Sequence, residues 1–102
     1  MKLLPHLVTT LCLVTIAGNA FAQDSDLARN LAATCANCHG TNGKPAPESA
    51  IARLAGIEKS KLLQDISNFK SGVKPATIMQ QIAKGYSDEQ MDLIASYYAA
   101  QK

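Results

Sequence analysis

Cys35-Ala36-Asn37-Cys38-His39 is the stretch on which the reading of this chain turns. Two cysteines one helical turn apart, with histidine directly after the second, form the attachment signature of a c-type haem. Both thiols must reach the vinyl groups of one porphyrin, while the imidazole beside the second thiol swings beneath the iron. The group would be held by thioethers from Cys35 and Cys38 and by an Fe–N bond from His39. Two other chemistries share the cysteine spacing: half of a tetrahedral zinc site, and a thioredoxin-like redox pair. Zinc needs two further ligands. A redox pair belongs near a βαβ pattern, and no strand-like alternation surrounds the motif.

Working outward, the 102 residues allow one domain at most. The first 22 read as a secretory leader: Met1-Lys2 is a short basic start, Leu7 to Ala17 a compact apolar run, and Ala20-Phe21-Ala22 a small-x-small cleavage site. The apolar run is too short for a membrane span, so no membrane anchor is expected. Cys12 falls inside the leader, and bulky Leu11 before it argues against a lipoprotein site. Cleavage after Ala22 leaves Gln23 to Lys102, a single haem-binding domain delivered to the periplasm.

The inventory of that segment is restrictive. Its cysteines are Cys35 and Cys38, its histidine is His39 alone, and its methionines are Met79 and Met91. One histidine excludes bis-histidine ligation. Two cysteines and one histidine cannot complete a four-ligand zinc site without acidic help or a second chain. Without Lys2, nine lysines and arginines face eight acids. Two ionised propionates would bring the total to about −1. No basic block suits nucleic acid or an anionic membrane. Domains this small usually need a staple. With five aromatics in the whole chain, Phe21 of the leader among them, a buried porphyrin would supply the missing apolar body.

Asp24 to Thr34 reads as a helix capped by Asp24 or Ser25, with Leu27, Leu31 and Cys35 on one stripe. Turn chemistry follows around Gly40 and Gly43, then an irregular loop through Pro45 and Pro47. Arg53, in the short Ala50–Gly56 segment, is either a partner for a haem propionate or an ordinary solvated arginine. Glu58 to Ser71 is an amphipathic helix, with Leu62, Leu63, Ile66 and Phe69 on its apolar face and Gly72 closing it. Ala76 to Lys84 forms a short helix or turn. Ser87-Asp88-Glu89-Gln90 is a capping box for a last helix to Ala100, whose buried face carries Met91, Ile94, Ala95 and Tyr98. Tyr97 and Tyr98 are expected to meet the first helix near Leu27 and Leu31. The fold class is all-α.

An iron held by His39 has one axial position left, and a thioether there raises the reduction potential and favours electron transfer. Met91 lies on the apolar stripe of a capped helix, where methionine fills core gaps. Met79, between Pro75 and Gly85, can cross the open face without breaking a long helix, and is the expected sixth ligand. No distal histidine or arginine pair supports chemistry at an open iron. The expected role is electron transfer, not catalysis.

With Cys35-Ala36-Asn37-Cys38-His39-Gly40, Leu54-Ala55-Gly56, Phe69-Lys70-Ser71-Gly72, Met79 and the capped final helix in order, the chain resembles a class I cytochrome c over nearly all of Gln23 to Lys102. The resemblance implies N- and C-terminal helices packed together around one haem c, Cys35 and Cys38 as anchors, His39 as proximal and Met79 as distal ligand. Such cytochromes usually place a proline two residues before the leucine of the Leu-x-Gly turn, its carbonyl accepting the proximal imidazole N–H. Here that residue is Ala52, whose carbonyl can do the same from a less constrained loop.

The stretch 76–89 is similar to the ligand segment of the cytochrome subunit of flavocytochrome c sulfide dehydrogenase. That resemblance implies an FAD-containing partner that oxidises sulfide, and a soluble or membrane acceptor beyond. A freely diffusing periplasmic carrier between respiratory complexes would use the same ligands. Its docking rim would be small and polar, whereas a permanent subunit needs an extended apolar patch.

Overall fold

A computed structural model describes residues 17–102, with side chains from Asp24 onward. Cys12 and most of the expected leader lie outside the described residues. Among the described residues four α-helices follow one another: α1 (Ala17–His39), α2 (Lys59–Ser71), α3 (Met79–Lys84) and α4 (Asp88–Ala99), with a 3-10 turn at Thr41–Gly43 after α1. The described residues contain no strand. As expected, the fold is all-α with its first and last helices packed on each other; α2 lies against α4, and α3 against α2. No helix among the described residues is long and apolar enough to cross a membrane.

The first helix differs from expectation at both ends. Its described part runs from Ala17, so Asp24 and Ser25 lie within the helix and not at its start. It also continues beyond Thr34 to His39. Nothing in Cys35–His39 breaks a helix, and Gly40, at φ 84°, is the first residue that does. The whole attachment motif is therefore helical, with its two thiols one turn apart on one side.

The contact stripe is also shifted by one position. Leu27 is 48% exposed, while Ala28 and Ala32 are buried against α4. Alanines one turn apart let the two helices approach closely, and Tyr98, 1% exposed, fills the contact. Its hydroxyl donates to the Ala32 carbonyl at 2.5 Å. Burial, followed by the nearby Cys35, Tyr97 and Tyr86 groups, pushes the Tyr98 phenol above its ordinary pKa. Tyr97 meets Tyr98 edge-to-face at 5.2 Å but turns its hydroxyl to Asn42 Oδ1, 2.7 Å away on the 3-10 turn. Leu62, Met91, Ile94 and Ala95 complete the core, so Met91 is a packing residue, as its spacing implied.

Tyr98→Phe keeps this packing and removes one buried hydrogen bond. It should cost about 1 kcal/mol, lowering the melting temperature of the pigmented protein by about 4–8 °C. An unchanged melting curve would show that the hydroxyl contributes nothing.

The other elements form where their sequences dictate. Gly72 ends α2 at φ 82°, its N–H donating to the Phe69 carbonyl at 3.1 Å. Ser87 Oγ accepts from Gln90 N–H at 3.2 Å while Gln90 Oε1 accepts from Ser87 N–H at 2.9 Å, the reciprocal cap expected for α4. The segment between α2 and α3 is tied back to α2 at Lys74. Its N–H reaches the Asn68 carbonyl at 3.0 Å, and its ammonium lies 3.2 Å from Asp65 and 4.8 Å above the Phe69 ring. Lys61, then Lys74, hold the Asp65 carboxyl below the usual carboxylate range.

Gly43 joins three segments. It is buried at φ 75°, and its carbonyl accepts from both Leu54 N–H (2.9 Å) and Ala55 N–H (3.1 Å). A Cβ there would lie 2.7 Å from Tyr98 Cδ1 and 2.8 Å from Ala55 N, so only glycine fits.

Candidate functional site

The C-terminal part of α1 delivers Cys35, Cys38 and His39, with Thr34 beside them, to one open cleft of about 170 Å³ that Ile82 and Tyr86 also line. Cys35 is half-buried and Cys38 exposed, and both thiols are free. Burial pushes the Cys35 thiol up, against a weaker opposing effect of its hydrogen bond with Thr34.

His39 Nδ1 lies 2.6 Å from the Ala52 carbonyl oxygen. A carbonyl can only accept, so the proton sits on Nδ1 and the lone pair on Nε2. This is the tautomer that an iron ligand requires. Alanine thus supplies the acceptor expected at this position without a proline ring.

Ile82 lies on α3, whose first residue is Met79, half-buried one turn earlier. Residues 76–78, expected within this helix, precede it. Ile82 thus brings α3 to the cleft, while Met79, the first residue of that helix, is not itself among the residues that line it. Met91 is 5% exposed in the core formed with α4's own neighbours. Arg53 spends its Nε on the Ala55 carbonyl at 3.2 Å, which pins the loop beside His39.

The residues present fit a haem. Two free thiols at helical spacing, a histidine with its Nε2 lone pair available and a wall of isoleucine and tyrosine meet in one cleft. Among the described residues, no group of three or more His, Cys, Asp or Glu is arranged to hold a metal ion, so the zinc alternative lacks its remaining ligands. The sequence reading gives Tyr86 a packing role with its hydroxyl at the rim and assigns none to Thr34, so their pairing is unanticipated. Their hydroxyls approach to 2.6 Å across 52 residues of chain, and no local pattern signals such a pair.

The chain matches the cytochrome c family model over residues 25–100. It is 32% identical to the cytochrome subunit of sulfide dehydrogenase from Chlorobaculum tepidum, across 84% of this chain and 87% of that protein. It is 38% identical over 65 residues to the thiosulfate dehydrogenase electron acceptor of Stutzerimonas stutzeri, covering 64% of this chain and 30% of that protein. Cytochrome c4 of Pseudomonas aeruginosa is 35% identical, across 99% of this chain and 49% of the relative. The chain thus spans half or less of the length of the last two.

Proposed function

The chain belongs to the cytochrome c family, a monohaem electron carrier and not an enzyme, and we propose that it is the haem subunit of a sulfide-oxidising flavoenzyme. In this reading the leader is removed after Ala22 and the domain works in the periplasm. Cys35 and Cys38 carry the thioethers, and His39 and Met79 are the axial ligands. The haem c of this family supplies a one-electron couple when bound. The protein's part is to orient and shield it. The Ala52 carbonyl fixes the His39 tautomer, while Ile82 and Tyr86 restrict water on the cleft wall.

What supports the subunit reading is the match along 87% of the sulfide dehydrogenase cytochrome subunit together with the resemblance of residues 76–89 to that family's ligand segment; cytochrome c-554(548) of Halomonas halodenitrificans is matched along its whole length as well, so length alone does not separate the readings. Charge distribution supports it. Lys59 pairs with Asp92, Lys61 and Lys74 with Asp65, and Lys70 with Asp88, which leaves little long-range field to steer a diffusing carrier to its partners. The likeness to a protein named as an electron acceptor favours a second reading, a freely docking carrier. Native purification separates the two. A stoichiometric flavoprotein retained through size exclusion is expected; a lone red monomer would sink the subunit reading.

A further inference from the structure

Tyr86 touches three elements at once. Its ring lines the cleft beside Cys35, Cys38 and His39. Its carbonyl accepts from Lys70 Nζ of α2 at 3.0 Å. Its hydroxyl lies 2.6 Å from Thr34 Oγ1 of α1. Thr34 Oγ1 also lies 3.0 Å from the Leu31 carbonyl, and when its proton is placed there Tyr86 is the donor. Thr34 is the residue directly before the first thiol.

The placement matters because α3 packs on α2, whereas no comparable packing joins α3 to α1. Ile82 of α3 and the Cys35, Cys38 and His39 side chains of α1 line the same cleft. The chain leaves α3 at Gly85, and the very next residue reaches across to α1.

We propose that Tyr86 is a positioning residue: its hydroxyl, bonded to Thr34, holds the α3 wall against the motif-bearing helix and so sets how readily the sixth position of the iron opens. This rests on the assignment of Met79 as distal ligand. When the bond is intact, separating the two walls requires breaking it; when it is absent, the walls part more often and an external ligand enters faster. One exchanged hydrogen bond of this kind corresponds to about three- to tenfold in an opening equilibrium.

The test uses the ferric, haem-loaded protein and measures the rate of cyanide binding in the wild type and in Tyr86→Phe, Thr34→Val, the double variant, Tyr97→Phe and Met79→Ala. Tyr86→Phe and Thr34→Val are each expected to bind cyanide about three- to tenfold faster. The double variant should be no faster than either single one, because both remove the same bond. Tyr97→Phe loses the 2.7 Å bond to Asn42 away from this cleft and should bind at the wild-type rate. A wild-type rate in Tyr86→Phe alongside a fast Met79→Ala overturns the clamp while leaving the ligand assignment standing. An equal rise in Tyr97→Phe also overturns it, since general softening would then suffice. A wild-type rate in Met79→Ala removes the ligand assignment and the clamp with it.

Discussion

With Cys35 and Cys38 both replaced by alanine, acid–acetone extraction is expected to leave a colourless polypeptide of bare-chain mass, whereas the wild type stays red and carries the added mass of one haem. The two thiols project from one side of the last full turn of α1, and a single cysteine can keep one thioether, so each single variant should retain pigment. The consequence reaches beyond colour. Among the described residues, five of the nine buried apolar ones are alanines: Ala28, Ala32, Ala55, Ala83 and Ala95. Such a core buries little surface per residue, and domains of this size usually depend on a staple. Loss of the covalent group should therefore lower thermal stability more than any single core substitution. Pigment that resists extraction in the double variant, or leaves the wild type, would defeat the assignment.

Met79→Ala is expected to open the iron to cyanide and carbon monoxide. It should also lower the reduction potential by more than about 60 mV, the equivalent of a tenfold shift in a one-electron equilibrium. Met91→Ala makes the contrast. That side chain is 5% exposed, among Leu62, Ile94 and Tyr98. Its removal should cost about 2–5 kcal/mol of stability and leave the potential and the closed iron intact. Potentiometry and carbon monoxide titration of both variants decide the matter. The reverse pattern, with Met91→Ala opening the iron, would move the sixth ligand to α4.

What could be read from residues alone was whatever rested on local chemistry. The Ser87–Gln90 cap is a reciprocal pair three residues apart and Gly72 follows directly on an amphipathic run, and both stand in the structure as read; Cys-x-x-Cys-His is a contiguous motif whose three side chains meet in one cleft. The first helix was ended five residues early, at Thr34, although Gly40 directly after His39 is the local stop signal. The α1 contact face was misread for a different reason. Leucine spacing pointed to Leu27, but the buried positions are alanines, whose small side chains give no periodic signal even though they permit the closest approach. The Tyr86–Thr34 bond and the meeting of Gly43 with Tyr98 depend on tertiary placement, which spacing cannot carry.

The double acceptance at the Gly43 carbonyl has a consequence for how the domain can vary. It closes residues 44–53 into a loop whose two ends are fixed by backbone atoms alone, independent of what lies between them. Doubling the length of such a loop costs only about 0.6 kcal/mol in closure entropy. Its distal part can lengthen or change composition while Ala52 stays in register with the imidazole it receives. Insertions that would wreck any of the four helices are thus accommodated here, and chains of this architecture can diverge in outline at that bend while keeping the metal's surroundings constant.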